Sequence, residues 1–310
     1  MMNQTSMTEF VLLGFANIRE LQILHFVLFL SIYLVALIGN VLIITSVLQN
    51  RHLHTPMYFF LVNLSVVDIG YISTTVPKSM ADSLLDNKLI SYSGCAAQVF
   101  FISMLGCSEL SLLAAMAYDR YVAICYPLQY SLIMNWNACF KMVVVCLLCN
   151  SVNGVVQVAW TCNLHFCSSH VVEQFFCDIT QLLKISCSDT QPIIWYIFAF
   201  ILLVVCPCFL LVTISYSYIF SSVFKIQSAQ GRRKAFSTCT PHLIVFSLFL
   251  TTGLFSYTRP KSLSSLPLNL LSAFLYAVLP PVMNPIIYSL RNREIQVAYL
   301  KTLRRWLKFI

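Results

Sequence analysis

Seven stretches of this chain are long and apolar enough to cross a lipid bilayer, and nothing else in it constrains the fold as tightly. They run over about residues 24–48, 57–80, 99–121, 140–160, 193–223, 235–257 and 268–290. A hydrocarbon layer about 30 Å thick takes roughly 20 mostly apolar residues as a helix. Inside it every backbone N–H and C=O must be satisfied within the segment, which forces helices. The alternating ten-residue pattern of a membrane barrel is absent. The fold class is therefore an all-α membrane protein, a seven-transmembrane helix bundle over residues 24–290. Residues 1–23 precede it as an extracellular N-terminus, and residues 291–310 follow as a cytoplasmic tail.

Composition excludes the alternatives. The chain is 59% hydrophobic and 10% charged, where a soluble domain carries about 25% charged residues. Disorder needs the opposite balance. The net charge of +8 does not indicate nucleic acid, because the basic residues do not interleave with stacking aromatics on one polar face. It is a topology signal instead. With the N-terminus outside, only Arg19, Lys78, Lys88, Lys184, Arg259 and Lys261 of the 19 Lys and Arg lie outside, as the positive-inside rule expects. No cleavable leader is visible, so the first span is expected to insert itself. Asn3-Gln4-Thr5 is a glycosylation acceptor on that outer segment.

Of 13 cysteines, Cys95, Cys167, Cys177 and Cys187 fall in outer loops, where the compartment is oxidising. Four cysteines allow three pairings, which spacing does not resolve. The outer loop 161–192 is long, and a disulfide from it to Cys95 would pin it as a lid over the bundle mouth. Long loops in compact domains are usually functional or disordered.

Asp68 and Glu109 are the two acids deep in the apolar runs, each about ten residues in and so near mid-bilayer. A carboxylate there is expensive and usually faces the bundle interior with a partner. The two, with Asn40 nearby, could form a polar switch that holds a sodium ion or shares a proton. The plainer alternative is a single protonated carboxyl hydrogen-bonded to Asn40, Ser65 or Asn284.

Asp119-Arg120-Tyr121 ends the third span on the inner side, and Pro285 loosens the last span in Asn284-Pro285-Ile286-Ile287-Tyr288. Pro207 weakens the fifth. Beyond residue 290, Ile295, Leu300, Leu303, Trp306 and Leu307 alternate with Arg291, Arg293, Lys301, Arg304, Arg305 and Lys308. That pattern is a short amphipathic helix on an anionic leaflet. No nucleophile with a neighbouring base, no zinc-protease motif and no phosphate loop is present, so no enzyme is expected. A transporter would need discontinuous, repeat-related helices, which the sequence lacks.

These residues resemble a rhodopsin-like G-protein-coupled receptor, specifically an odorant receptor of the terrestrial, second class. The resemblance rests on Gly39-Asn40, on residues 53–61 (Leu-His-Thr-Pro-Met-Tyr-Phe-Phe-Leu) with Asn63-Leu64-Ser65 and Asp68, and on residues 116–125 (Met-Ala-Tyr-Asp-Arg-Tyr-Val-Ala-Ile-Cys). It continues through Phe175-Phe176-Cys177-Asp178, Ser186-Cys187-Ser188-Asp189, residues 234–239 with Pro241-His242-Leu243, and residues 281–292. It implies an odorant-gated receptor in the plasma membrane that couples to the stimulatory G protein of olfactory neurons and raises cyclic AMP. It also implies disulfides Cys95–Cys177 and Cys167–Cys187, Arg120 guarding the G-protein cavity, and Tyr216, His242 and Tyr288 in the switching inner half. The family's fourth-span tryptophan is replaced near Val152, and its sixth-span Phe-Tyr-Gly is Phe249-Leu250-Thr251.

Ligand sites in helical bundles lie between helices. The expected pocket sits between the outer halves of spans three, five, six and seven, lined by Ile102, Ser103, Gly106, Phe200, Leu203, Gly253, Tyr257 and Tyr276. No acid sits in the outer third of the third span. The expected ligand is therefore a small, neutral, mostly apolar volatile, held by hydrogen bonds to Ser103 or Tyr257.

Overall fold

The computed structural model of the chain describes residues 9–14, 18–166, 170–257 and 265–306. Among them, seven helices are long and apolar enough to cross a membrane: α1 (Arg19–Gln49), α2 (Pro56–Leu85), α3 (Tyr92–Cys125), α4 (Trp136–Cys162), α5 (Gln191–Phe224), α6 (Ala229–Tyr257) and α7 (Leu266–Leu290). An eighth helix, α8 (Arg293–Trp306), follows.

The helix ends are set by local chemistry. Ser91 Oγ accepts from the Gly94 N–H at 3.2 Å to start α3, and Asn135 Oδ1 accepts from Ala138 N–H at 2.9 Å to start α4, as N-caps do. Pro56, Pro192 and Pro267 occupy first turns, where a missing N–H costs nothing. Pro207 acts inside α5. The turn just before it, Ile201–Val205, widens to a π-turn, which relieves the clash a proline ring makes with the preceding carbonyls. In α7 the helix breaks at Val278, ahead of Pro280-Pro281.

Helix α3 runs through the middle and packs on α2, α4, α5 and α6. One end of the bundle carries a lid that residues 1–23 gave no sign of. Strand β1 (Glu9–Leu12) pairs antiparallel with β2 (Leu89–Ser91) and parallel with β3 (Val171–Val172). Phe10 and Leu12 thereby enter a core with Cys95, Cys177, Leu182 and Ile193. Cys95 and Cys177 are disulfide-bonded. Cys187 is disulfide-bonded too; Cys167, its expected partner, lies outside the described residues, as do Asn3, Arg259 and Lys261.

The opposite end carries α8. Asn292 Oδ1 accepts from the N–H groups of Glu294 and Ile295 and caps it. Ile295, Ala298 and Thr302 dock onto the bundle, with Ser46 Oγ donating to Thr302 Oγ1 at 3.3 Å. Leu300, placed by sequence on the same apolar face as Ile295, points outward with Val297. The small residues Ala298 and Thr302 allow the close approach, and the larger Val297 and Leu300 stay exposed.

Candidate functional site

Three polar constructions run through the bundle. At mid-height, Asn284 Nδ2 lies 3.1 and 3.0 Å from the two Asp68 carboxylate oxygens and 3.0 Å from Glu109 Oε1. All three side chains are buried, and Glu109 Oε2 and Asn284 Oδ1 have no hydrogen-bond partner. Two carboxylates sharing one amide in hydrocarbon cannot both stay fully charged without a proton or a cation between them. Asn40 stands apart from them. Its Nδ2 donates to the carbonyls of Ala36 and Pro281, each at 3.0 Å. Pro281 is four residues before Pro285, which has no N–H to offer that carbonyl, so Asn40 supplies the missing donor. Helices α1 and α7 can come this close because position 39 is glycine: a Cβ there would lie 3.0 Å from the Pro285 ring.

At the α8 end, Asp119 Oδ1 accepts from Tyr130 at 2.7 Å. Burial and the Asp119 carboxylate push the Tyr130 hydroxyl well above the ordinary tyrosine range. Arg120 is not paired with Asp119; among the described residues the one ion pair is Lys78–Asp82. Among the described residues the Arg120 Nε and the Tyr288 hydroxyl are buried without partners, while Tyr121 packs among Tyr118, Tyr126 and Tyr218. Above them, His242 bridges three helices. Its Nε2 is 2.8 Å from the Leu113 carbonyl and its Nδ1 is 2.8 Å from the Tyr216 hydroxyl. A carbonyl only accepts, so Nε2 carries the hydrogen and Nδ1 accepts from Tyr216. Tyr58, absent from the expected site, donates to Glu294 of α8 at 2.7 Å.

At the lid end, the eight expected pocket residues divide. Ile102 and Tyr276 join Phe175 and Phe176 of the lid in one buried cluster. Tyr276 and Thr180 both donate to Asp178 Oδ2, at 3.2 and 2.7 Å. Burial raises the Asp178 carboxyl above its usual range, against the pull of those hydrogen bonds. Asn269 donates to Glu173 at 2.7 Å, and the Cys177 N–H donates to Gln98 at 2.9 Å. Ser103 turns the other way and donates to Gln157 of α4 at 2.6 Å; Gln157 and Tyr196 both donate to Asn153 Oδ1, at 3.2 and 3.0 Å. Phe200 stacks on Tyr196, and Gly106 faces the Tyr71 ring of α2.

Leu203 is 76% exposed, which removes it from a pocket between α3, α5 and α6. The π-turn gives five residues to one turn, so the inward position after Phe200 passes to Val204 and Val205. Among the described residues, nothing lies within 4 Å of where a Cβ on Gly253 would stand. The Tyr257 side chain lies outside the described residues. A separate cavity of about 10 Å³, the room of roughly one water, lies elsewhere, between Gln22, His25, Asp82, Lys88 and Phe175.

Reasoning from sequence missed the α3–α4 polar seam. Its signal was present: Asn150, Asn153, Gln157 and Thr161 fall at helical spacing on one face of an apolar span, and all four are buried. Polar side chains so placed join helices where water cannot.

The pattern of the family described as Olfactory receptor matches residues 29–305. Among human proteins, Olfactory receptor 14I1 is 49% identical over 96% of this chain and 95% of its own length. Olfactory receptor 14A16 is 48% identical over 96% of each, and Olfactory receptor 14A2 is 45% identical over 98% and 97%.

Proposed function

The chain belongs to the olfactory receptor family of rhodopsin-like G-protein-coupled receptors, and from that premise we propose how it signals. It is a multi-pass membrane protein and an odorant receptor, in a family that is not enzymatic. In our reading the lid end faces outward with the N-terminus and a glycan on Asn3, and the α8 end meets the G protein. Lys225, just after α5, the basic residues Arg232, Arg233 and Lys234 in the first turns of α6, and those of α8 favour that orientation. The ligand is a small, neutral, mostly apolar volatile, since α3 carries no charged side chain from its start to Glu109. The transducer is the stimulatory G protein of the olfactory type, and the output is cyclic AMP.

The observation that carries this reading is at the α8 end, where His242 ties α6 to α3 and α5 while, among the described residues, Arg120 and Tyr288 keep unused buried polar atoms. A ligand shifts such an equilibrium only by its differential affinity for the open form. At mid-height, a sodium ion fits the donor set of Asp68, Glu109 and the unpartnered Asn284 Oδ1, all of them hard oxygen ligands. Bound there, it would offset one of the two carboxylate charges and favour the closed form. The test is an odorant panel read by a cyclic AMP reporter, with mock-transfected cells and Arg120→Ala as controls. A response that survives Arg120→Ala at normal surface display refutes the assignment.

A further inference from the structure

We propose that the odorant reaches its pocket sideways from the bilayer, through the seam between the lid-side halves of α5 and α6. This rests on the neutral, apolar ligand of the previous section. The lid blocks the direct path. Residues 174–179 are all buried, Phe175 and Phe176 plug the mouth, and Glu173–Asn269, Asp178–Tyr276 and the Cys95–Cys177 disulfide hold them down.

The α5–α6 seam is the reverse. From residue 194 to residue 211 no α5 side chain is buried, although α5 crosses the whole bundle. Burial resumes at Val212, Tyr216, Ile219 and Val223, in the half toward α8. There the seam is shut, by Phe209 stacked on Phe246 and by Tyr216 on His242. Gly253 lies two helical turns from Phe246 on the same stripe of α6, and it opens onto free space. The π-turn Ile201–Val205 of α5 lies at about the same level. Among the described residues the lid-side seam is therefore lined by Phe200, Val204 and Gly253, none of them buried, with no charged side chain among them. An apolar volatile dissolved in lipid meets no desolvation penalty there, whereas an ion does.

A gate and a pocket wall respond differently to a larger side chain. A gate changes the rates of entry and exit by the same factor and leaves the affinity alone. A wall changes exit and affinity together. The experiment adds Gly253→Ala and Gly253→Leu, follows onset and wash-out of G-protein activation, and normalises to surface display. Only odorants that already activate the unsubstituted receptor are used, so the outcome is separate from whether the receptor answers to neutral volatiles. The proposal expects Gly253→Leu to slow onset and wash-out by a common factor of roughly tenfold, with Gly253→Ala between and the half-maximal concentration unchanged. A shift in half-maximal concentration with unchanged onset overturns it. So does faster onset on loosening the lid with Asn269→Ala while Gly253→Leu leaves onset unaltered.

Discussion

The Tyr216 hydroxyl and His242 Nδ1 stand 2.8 Å apart with their rings stacked at 5.5 Å, so one contact fastens α5 to α6 by hydrogen bond and by packing. The other ring nitrogen of His242 is committed to Leu113 of α3. Opening the α8 end by moving α6 breaks both bonds, each worth about 1 kcal/mol net. His242→Ala is expected to raise ligand-independent cyclic AMP by roughly threefold to tenfold at equal surface display. Tyr216→Phe removes one bond and keeps the stacking, and should give a smaller rise. Basal signalling at or below the unsubstituted level in both variants would show that this contact does not hold the closed form.

The carboxylate pair makes a sharper prediction. Asn284→Ala removes the donor that Asp68 and Glu109 share, and a buried acceptor left unsatisfied costs about 1–3 kcal/mol. The detergent-purified protein should melt several degrees lower. Asp68→Asn restores a donor facing Glu109, so the double variant should lose less than the sum of the single losses. If a sodium ion sits among these oxygens, the unsubstituted protein melts higher in sodium than in an equal concentration of a large organic cation. That difference disappears in Asp68→Asn. Equal melting temperatures in both salts would leave a proton on the pair, shared or held by one carboxyl, in place of the cation.

Asp178 predicts a pH dependence at the lid. Its carboxyl is raised in the folded protein, chiefly by burial, so the folded state binds the proton more tightly than the unfolded one. The resulting stability is fully present below the unfolded value of about 4 and is lost as pH rises through the raised value. Melting temperature should therefore fall across that window in the unsubstituted protein. Asp178→Asn, which keeps an acceptor oxygen for Tyr276 and Thr180 and cannot ionise, should flatten the profile. An unchanged slope in Asp178→Asn would place the titration on another group.

The fold was legible because hydrocarbon leaves the backbone so few options: seven apolar runs dictate seven helices whatever their side chains touch. Pro285 was readable as a loosened turn of α7, but its partners were not: Asn40, expected beside Asp68 and Glu109, instead takes up the carbonyl that the proline frees, and Gly39 lets the two helices meet. What the sequence hid depends on register or on distant pairing. Leu203 lies at an inward position of an ideal helix, and a single π-turn turned it outward. Ser103 looked available to a ligand because nothing local says that Gln157, 54 residues on, accepts its proton. The lid's middle strand was invisible because four residues of Glu-Phe-Val-Leu become a strand only where β2 and β3 offer edges on both sides.

That strand supplies the last prediction. Phe10 is fully buried, its ring against Phe166 at 5.1 Å and Tyr92 at 6.0 Å, between one strand leading into α3 and another leading into the disulfide-bonded lid. Removing it leaves a cavity where the three strands meet. Phe-to-Ala changes in cores cost about 3–5 kcal/mol, against a total stability of about 5–15 kcal/mol for an ordinary domain. Phe10→Ala should therefore reduce surface display severely, Phe10→Leu less so, and Glu9→Ala on the exposed neighbour should leave it unchanged. Antibody staining of an N-terminal tag on intact cells measures this directly. Undiminished display of Phe10→Ala would mean that the strand is an ornament and that the disulfide alone seats the lid.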